Sequence, residues 1–189
     1  MKKMIIGIII GVVSTLIIVF TIMYGIWEGG FSFLAPSYGT IDRYLMDNID
    51  IFSQISNDLI NLDYDTVVIR KDFPYEEDKY NMVVSKDMVF EDGSSAINRK
   101  TIPIPDDLLD QIEHLYNSGV SVISCGDSDH IEFCMWSNRS ESRGIKYSKT
   151  GEKPDGDQLI EVKQLSEENW YFYVYNYEKT KARNPELFQ

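Results

Sequence analysis

Residues 120–136 read VSVISCGDSDHIEFCMW, and the fold is decided there. Val120–Cys125 and His130–Trp136 are rich in β-branched and aromatic residues, the composition of strands. Gly126-Asp127-Ser128-Asp129 between them is a hairpin-type connection. The same alternation of strand and turn continues downstream. Gly144–Ser148 is followed by a turn at Thr150–Asp157, then by strands at Gln158–Leu165 and Asn169–Tyr177. Consecutive hairpins of this kind build a mainly antiparallel sheet.

Upstream of the hairpins the period changes. Leu108, Ile112 and Leu115 form an apolar stripe at helical spacing, with Pro105 in the first turn, Asp106 and Asp107 at the positive end of the dipole, and Gly119 as the stop. Farther back, Ile41, Leu45, Ile49, Phe52, Ile55 and Leu59 recur at steps of three and four, so a single amphipathic helix is expected from its cap at Thr40. Tyr64–Arg70 is a strand. In residues 71–100, Met82–Val84 and Met88–Phe90 are read as short strands separated by the polar turn Ser85–Asp87, and Asp92-Gly93-Ser94-Ser95 as a loop. These elements predict an α+β domain in which two helices pack on one face of a mainly antiparallel sheet.

The chain has 189 residues, 43% of them hydrophobic, and a formal charge of −12. That apolar content excludes wholesale disorder, and two cysteines exclude a disulfide scaffold. No fixed-period repeat indicates a solenoid. The acidic balance argues against a nucleic-acid partner, whose footprint is basic. All 30 acidic residues but only 16 of the 18 basic ones follow Trp27, so residues 28–189 carry −14.

Met4–Trp27 is 24 residues without a charge. As a helix it would span ~36 Å, against a hydrocarbon core of ~30 Å. It exceeds the ~7–15 apolar residues of a cleaved signal peptide and lacks the small-residue cleavage end. The sequence therefore predicts an uncleaved signal-anchor. Lys2 and Lys3 place the amino terminus in the cytoplasm and the remainder outside. The expected organisation is a cytoplasmic tip at 1–3, a transmembrane helix at 4–27, a linker at 28–39, an extracytoplasmic α+β domain at 40–178 and a flexible tail at 179–189. Gly7 and Gly11 form a G-x-x-x-G face suited to homodimerisation through the membrane helix.

Three segments carry a resemblance. RYLMDNIDIFSQISNDLIN running into YDTVVI, RGIKYSKTGEKPDG and the ending LSEENWYFY resemble a group of small membrane-anchored or exported proteins of Gram-positive bacteria. The likeness covers roughly residues 40–178 and is most specific at the R-G-x-x-Y-S turn and the N-W-Y-x-Y strand. Phe172 stands where the group has tyrosine, and fewer acidic residues follow that strand. The group has no established activity, so the resemblance implies domain limits and no site.

Few residues suit catalysis. There is no G-x-S-x-G elbow, and two histidines must serve any triad. His114 falls off the apolar stripe of its helix and reads as solvated. His130, beside Asp127 and Asp129, forms a D-x-D-H cluster whose metal reading competes with ordinary turn composition. Adjacent carboxylates such as Asp106/Asp107, Glu76/Glu77 and Glu167/Glu168 mark solvated faces, whereas a glycosidase needs two carboxyls across a cleft. Asn138-Arg139-Ser140 matches a glycosylation sequon. A turn centred on Asp127-Ser128 would put Cys125 opposite His130 and Cys134 opposite Ser121, ~13 Å apart, beyond the reach of a disulfide. No catalytic residue, cofactor or metal is expected.

The most suggestive stretch is Trp170-Tyr171-Phe172-Tyr173-Val174-Tyr175-Asn176-Tyr177. Alternation sends Trp170, Phe172 and Val174 to the core and Tyr171, Tyr173, Tyr175 and Tyr177 to the other face. Tyrosine combines apolar area with a polar tip, so the second face reads either as a partner surface or as a covered or solvated sheet face. The functional expectation is a membrane-anchored, non-catalytic binding or accessory module that contacts another envelope protein. The alternative is an immunity or inhibitor protein neutralising a basic toxin, steered by negative charge.

Overall fold

The computed structural model describes residues 12–23, 35–71, 80–89, 95–127, 129–156 and 158–178. Helix α1 occupies residues 12–23 with its side chains exposed, Phe20 at 72%. No helix among the described residues is long and apolar enough to cross a membrane. This overturns the transmembrane helix and signal-anchor expected from the unbroken apolar run. Gly7, Gly11 and the tail at 179–189 lie outside the described residues.

The domain begins with α2 (Tyr38–Asp47) and α3 (Ile49–Ile60). The single helix expected from Thr40 is thus two, and the first starts earlier. Ser37 caps it, its hydroxyl accepting from the Thr40 N–H at 3.3 Å. Asn48 makes the break: its backbone N–H bonds to the Leu45 carbonyl, and its side chain donates back to the Tyr44 carbonyl at 2.9 Å. A short polar side chain that competes for local carbonyls in this way interrupts a helix. The apolar stripe carries across the break, burying Ile41, Leu45, Phe52, Ile55 and Leu59.

Among the described residues eight strands follow, interrupted by one helix: β1 (Thr66–Lys71), β2 (Tyr80–Val89), β3 (Ser95–Ile102), α4 (Asp106–Asn117), β4 (Val122–Asp127), β5 (His130–Ser137), β6 (Glu141–Ser148), β7 (Leu159–Gln164) and β8 (Trp170–Asn176). They form one sheet in the order β3-β2-β1-β4-β5-β6-β8-β7, and every pairing is antiparallel. The expected α+β class and antiparallel sheet are observed. Among the described residues, however, the domain carries three helices where two were expected, because of the break at Asn48.

The region 71–100 also differs. The expected turn Ser85–Asp87 lies within β2, with Ser85 paired to Thr66 on one side and Arg99 on the other. Lys86 stays in the sheet, paired with Asn98, and its ammonium group reaches out to Asp63 at 2.6 Å. Polar residues here mark neighbours rather than a turn. In the β4–β5 hairpin Asp127 pairs with His130, and a register shift between Cys125 and Asp127 moves the turn one residue on from the expected centre.

The helices cover one face. Phe52 is the hub, meeting Tyr44, Phe133 and Trp170 edge-on at centroid distances of 5.7, 4.7 and 5.8 Å. Two tethers fix α2 to the far end of the sheet: Asp42 accepts from the Ser166 N–H and hydroxyl at 2.8 and 2.7 Å, and Tyr38 donates to the Gln164 carbonyl at 2.8 Å. The α4 stripe of Leu108, Ile112 and Leu115 is buried as its spacing requires.

Candidate interaction surface

Among the described residues no helix covers the other face of the sheet. Strand β8 alternates as its sequence dictates, Trp170, Phe172 and Val174 joining the core under the helices. The tyrosines turn to the open side, where β6 supplies Ser142, Gly144 and Lys146 opposite Tyr175, Tyr173 and Tyr171. Strand β5 adds Glu132 and Cys134, opposite Lys146 and Gly144.

The expectation of four exposed tyrosines divides here. Tyr171 and Tyr173 are buried, at 6% and 0% exposure, while Tyr175 and Tyr177 are half-buried. Tyr171 lies under the connection after β6, its hydroxyl donating to the Gly151 carbonyl at 2.8 Å. That connection folds back tightly at Gly151, φ 76°, and the positive-φ Asn169 (φ 70°) of the β7–β8 connection lies against it. Tyr173 stacks against Tyr175 at 4.9 Å. Its hydroxyl makes no hydrogen bond of good geometry, and burial together with the nearby Glu132 carboxylate pushes its pKa well up. Tyr177 reaches back over β6 and donates to the Ser142 hydroxyl at 2.9 Å; burial raises its pKa too. Beside it Lys146 donates to the Tyr175 hydroxyl at 3.2 Å and faces Glu132 at 3.9 Å.

The result is a small second core of Tyr173, Cys134, Ser142 and Gly144 on the open face, with Tyr175, Tyr177, Lys146 and Glu132 as its amphipathic rim. The sequence did not single out Ser142, Gly144, Lys146 or Glu132 for this face. Their signal is the register between β5, β6 and β8, which only the assembled sheet supplies.

The remaining candidates fall elsewhere. Exposed His114 shares a 2.9 Å hydrogen bond with the Asn48 side chain, tying α4 to the break between α2 and α3. His130 is half-buried on β5, paired with Asp127 and Ser148. Among the described residues no group of three His, Cys, Asp or Glu is arranged to hold a metal ion. The Asn138 side chain accepts from the Ser140 N–H and the Glu141 N–H, both at 2.8 Å, closing the turn between β5 and β6. Cys125 and Cys134 are buried and form no disulfide.

No protein-family model, curated protein or solved structure matches the chain.

Proposed function

We propose that the protein is a non-catalytic binding module and that its partner docks on the Tyr175–Tyr177 rim of the open sheet face. The observation that supports this is the anchoring of two half-exposed tyrosines, one by Lys146 and one by Ser142. Rigid, amphipathic aromatic groups lose little conformational entropy when a partner covers them, which is why tyrosine serves well as an interface anchor. The net charge of −12 favours a second reading, in which the partner is a basic toxin that the chain neutralises.

Benzoylphenylalanine placed at Tyr175, in the full chain made in its own cells, tests the first reading. A discrete photo-adduct that is absent when the label is at exposed Asp58 on α3 is the expected result. Equal labelling at both positions would overturn it. The isoelectric point of the captured protein separates an envelope component from a basic toxin.

A further inference from the structure

Both edges of the sheet end in a strand, and the two edges differ. Strand β7 is short, carries a register shift between Leu159 and Glu161, and bears the ion pair Lys163–Glu161 at 2.5 Å. A bulge and charges of this kind blunt an edge against further pairing. Strand β3 is eight residues long, pairs with β2 over its whole length without a register shift, and ends the sheet. Ala96 to Thr101 are all exposed, and Ile97 stands at 68%. An exposed, regular edge with a large apolar side chain is a template for another strand.

Charge narrows the occupant. Arg99 and Lys100 are adjacent on this edge, within a chain that is acidic elsewhere. Behind Arg99, on the open face, Thr66, Val68, Arg70, Val83 and Ser85 line a groove of about 210 Å³ with it. Neither Arg70 nor Arg99 forms an ion pair with a described residue, whereas Lys86 pairs with Asp63 and Lys100 covers the Tyr64 ring at 5.2 Å. Two unpaired guanidiniums around an aliphatic floor suit carboxylate side chains, which arginine binds with two parallel hydrogen bonds. The chain's own negative charge opposes this little, since charges beyond ~8 Å are screened at physiological salt. A second copy is the poorer occupant: two β3 strands side by side would bring two Arg99 and two Lys100 together.

We propose that β3 is a docking edge for an extended acidic segment of a partner protein, which adds as a ninth strand and places carboxylates on Arg99 and Arg70. Main-chain hydrogen bonds along the edge supply affinity, and the groove selects the side chains. This edge lies at the far end of the sheet from β8, so the inference does not rest on the tyrosine surface.

The test is fluorescence anisotropy of the full chain with a capped, labelled heptapeptide of sequence Ser-Glu-Val-Glu-Val-Glu-Ser. The expected result is saturable binding that weakens about tenfold in Arg99→Glu and is unchanged in Tyr175→Ala. N-methylation of either the odd or the even peptide amides should also remove it, because one set faces the edge. Several outcomes would overturn the proposal. These are no binding at about 1 mM peptide, equal binding of the peptide with lysine in place of glutamate, or indifference to both methylated forms. A concentration-dependent dimer of the chain that Ile97→Lys abolishes would assign the edge to a second copy and likewise overturn it.

Discussion

The hydroxyl of Tyr173 lies 3.0 Å from the point where a β-carbon on Gly144 would stand. The two residues are directly opposed across β6 and β8. The same β-carbon would collide with the Phe133 carbonyl of β5. Gly144 is therefore the position at which the backbone of β6 lets a full tyrosine lie flat on the sheet.

Gly144→Ala is expected to destabilise the domain by about 2 kcal/mol or more, because the neighbour it meets first is backbone and cannot swing aside. Urea unfolding measures this. A midpoint equal to that of the parent would mean that the sheet relaxes locally and that the close approach is not required.

Tyr173 itself separates ring from hydroxyl. The ring is fully buried and the hydroxyl is without a hydrogen bond of good geometry. Tyr173→Phe should be neutral or slightly stabilising, since it removes a buried polar atom whose contacts with Glu132 and Cys134 fall short of good hydrogen-bond geometry. Tyr173→Ala should cost about 3–5 kcal/mol, as for other large aromatic deletions. If the phenylalanine variant lost as much as the alanine one, the hydroxyl would have to be bonded.

The two cysteines occupy opposite faces of the sheet: Cys125 lies in the core under the helices, and Cys134 on the open face near Tyr173 and Glu132. They stand opposite Ile131 and Val122 rather than each other. No rotation of side chains brings the sulfurs together. Alkylation in denaturant without reductant should label both thiols. In the folded protein Cys134 should react slowly, because burial raises its pKa and keeps the unreactive thiol form. Recovery of unlabelled, oxidised protein would contradict the placement.

Alkaline pH should unfold the domain through its buried acids. Burial raises Tyr44, Tyr116, Tyr173, Tyr177 and Cys134 above their ordinary values of 10.0 for the phenol and 9.0 for the thiol. Below those values folded and unfolded chains hold the same protons, so this contribution to stability is fully present. Above them the unfolded chain releases protons first, and stability falls as pH rises toward the folded values. Urea midpoints taken between about pH 8 and about pH 11 should be level at first and then decline. A midpoint that held constant to the upper limit would show these groups to be solvated.

Much of the architecture was legible in the residues. The spacing of Leu108, Ile112 and Leu115 located α4, and the period of two in Trp170–Val174 assigned each β8 side chain to its face. The mainly antiparallel α+β class followed from the spacing of turns. Local pattern is sufficient in these cases because it depends on neighbours within a few residues. The break at Asn48, the continuity of β2 through Ser85 and Lys86, and the place of β8 between β6 and β7 were not legible.

For the candidate surface, alternation fixed the side of the sheet to which each tyrosine points and nothing more. Whether Tyr171 and Tyr173 meet water was decided by the connection carrying Gly151, by Gly144 beneath, and by Tyr177 folding over Ser142. A strand's own sequence sets the direction of its side chains, because the backbone pleat is local. What covers them is set by strands and loops distant in the chain, so burial belongs to the tertiary structure alone.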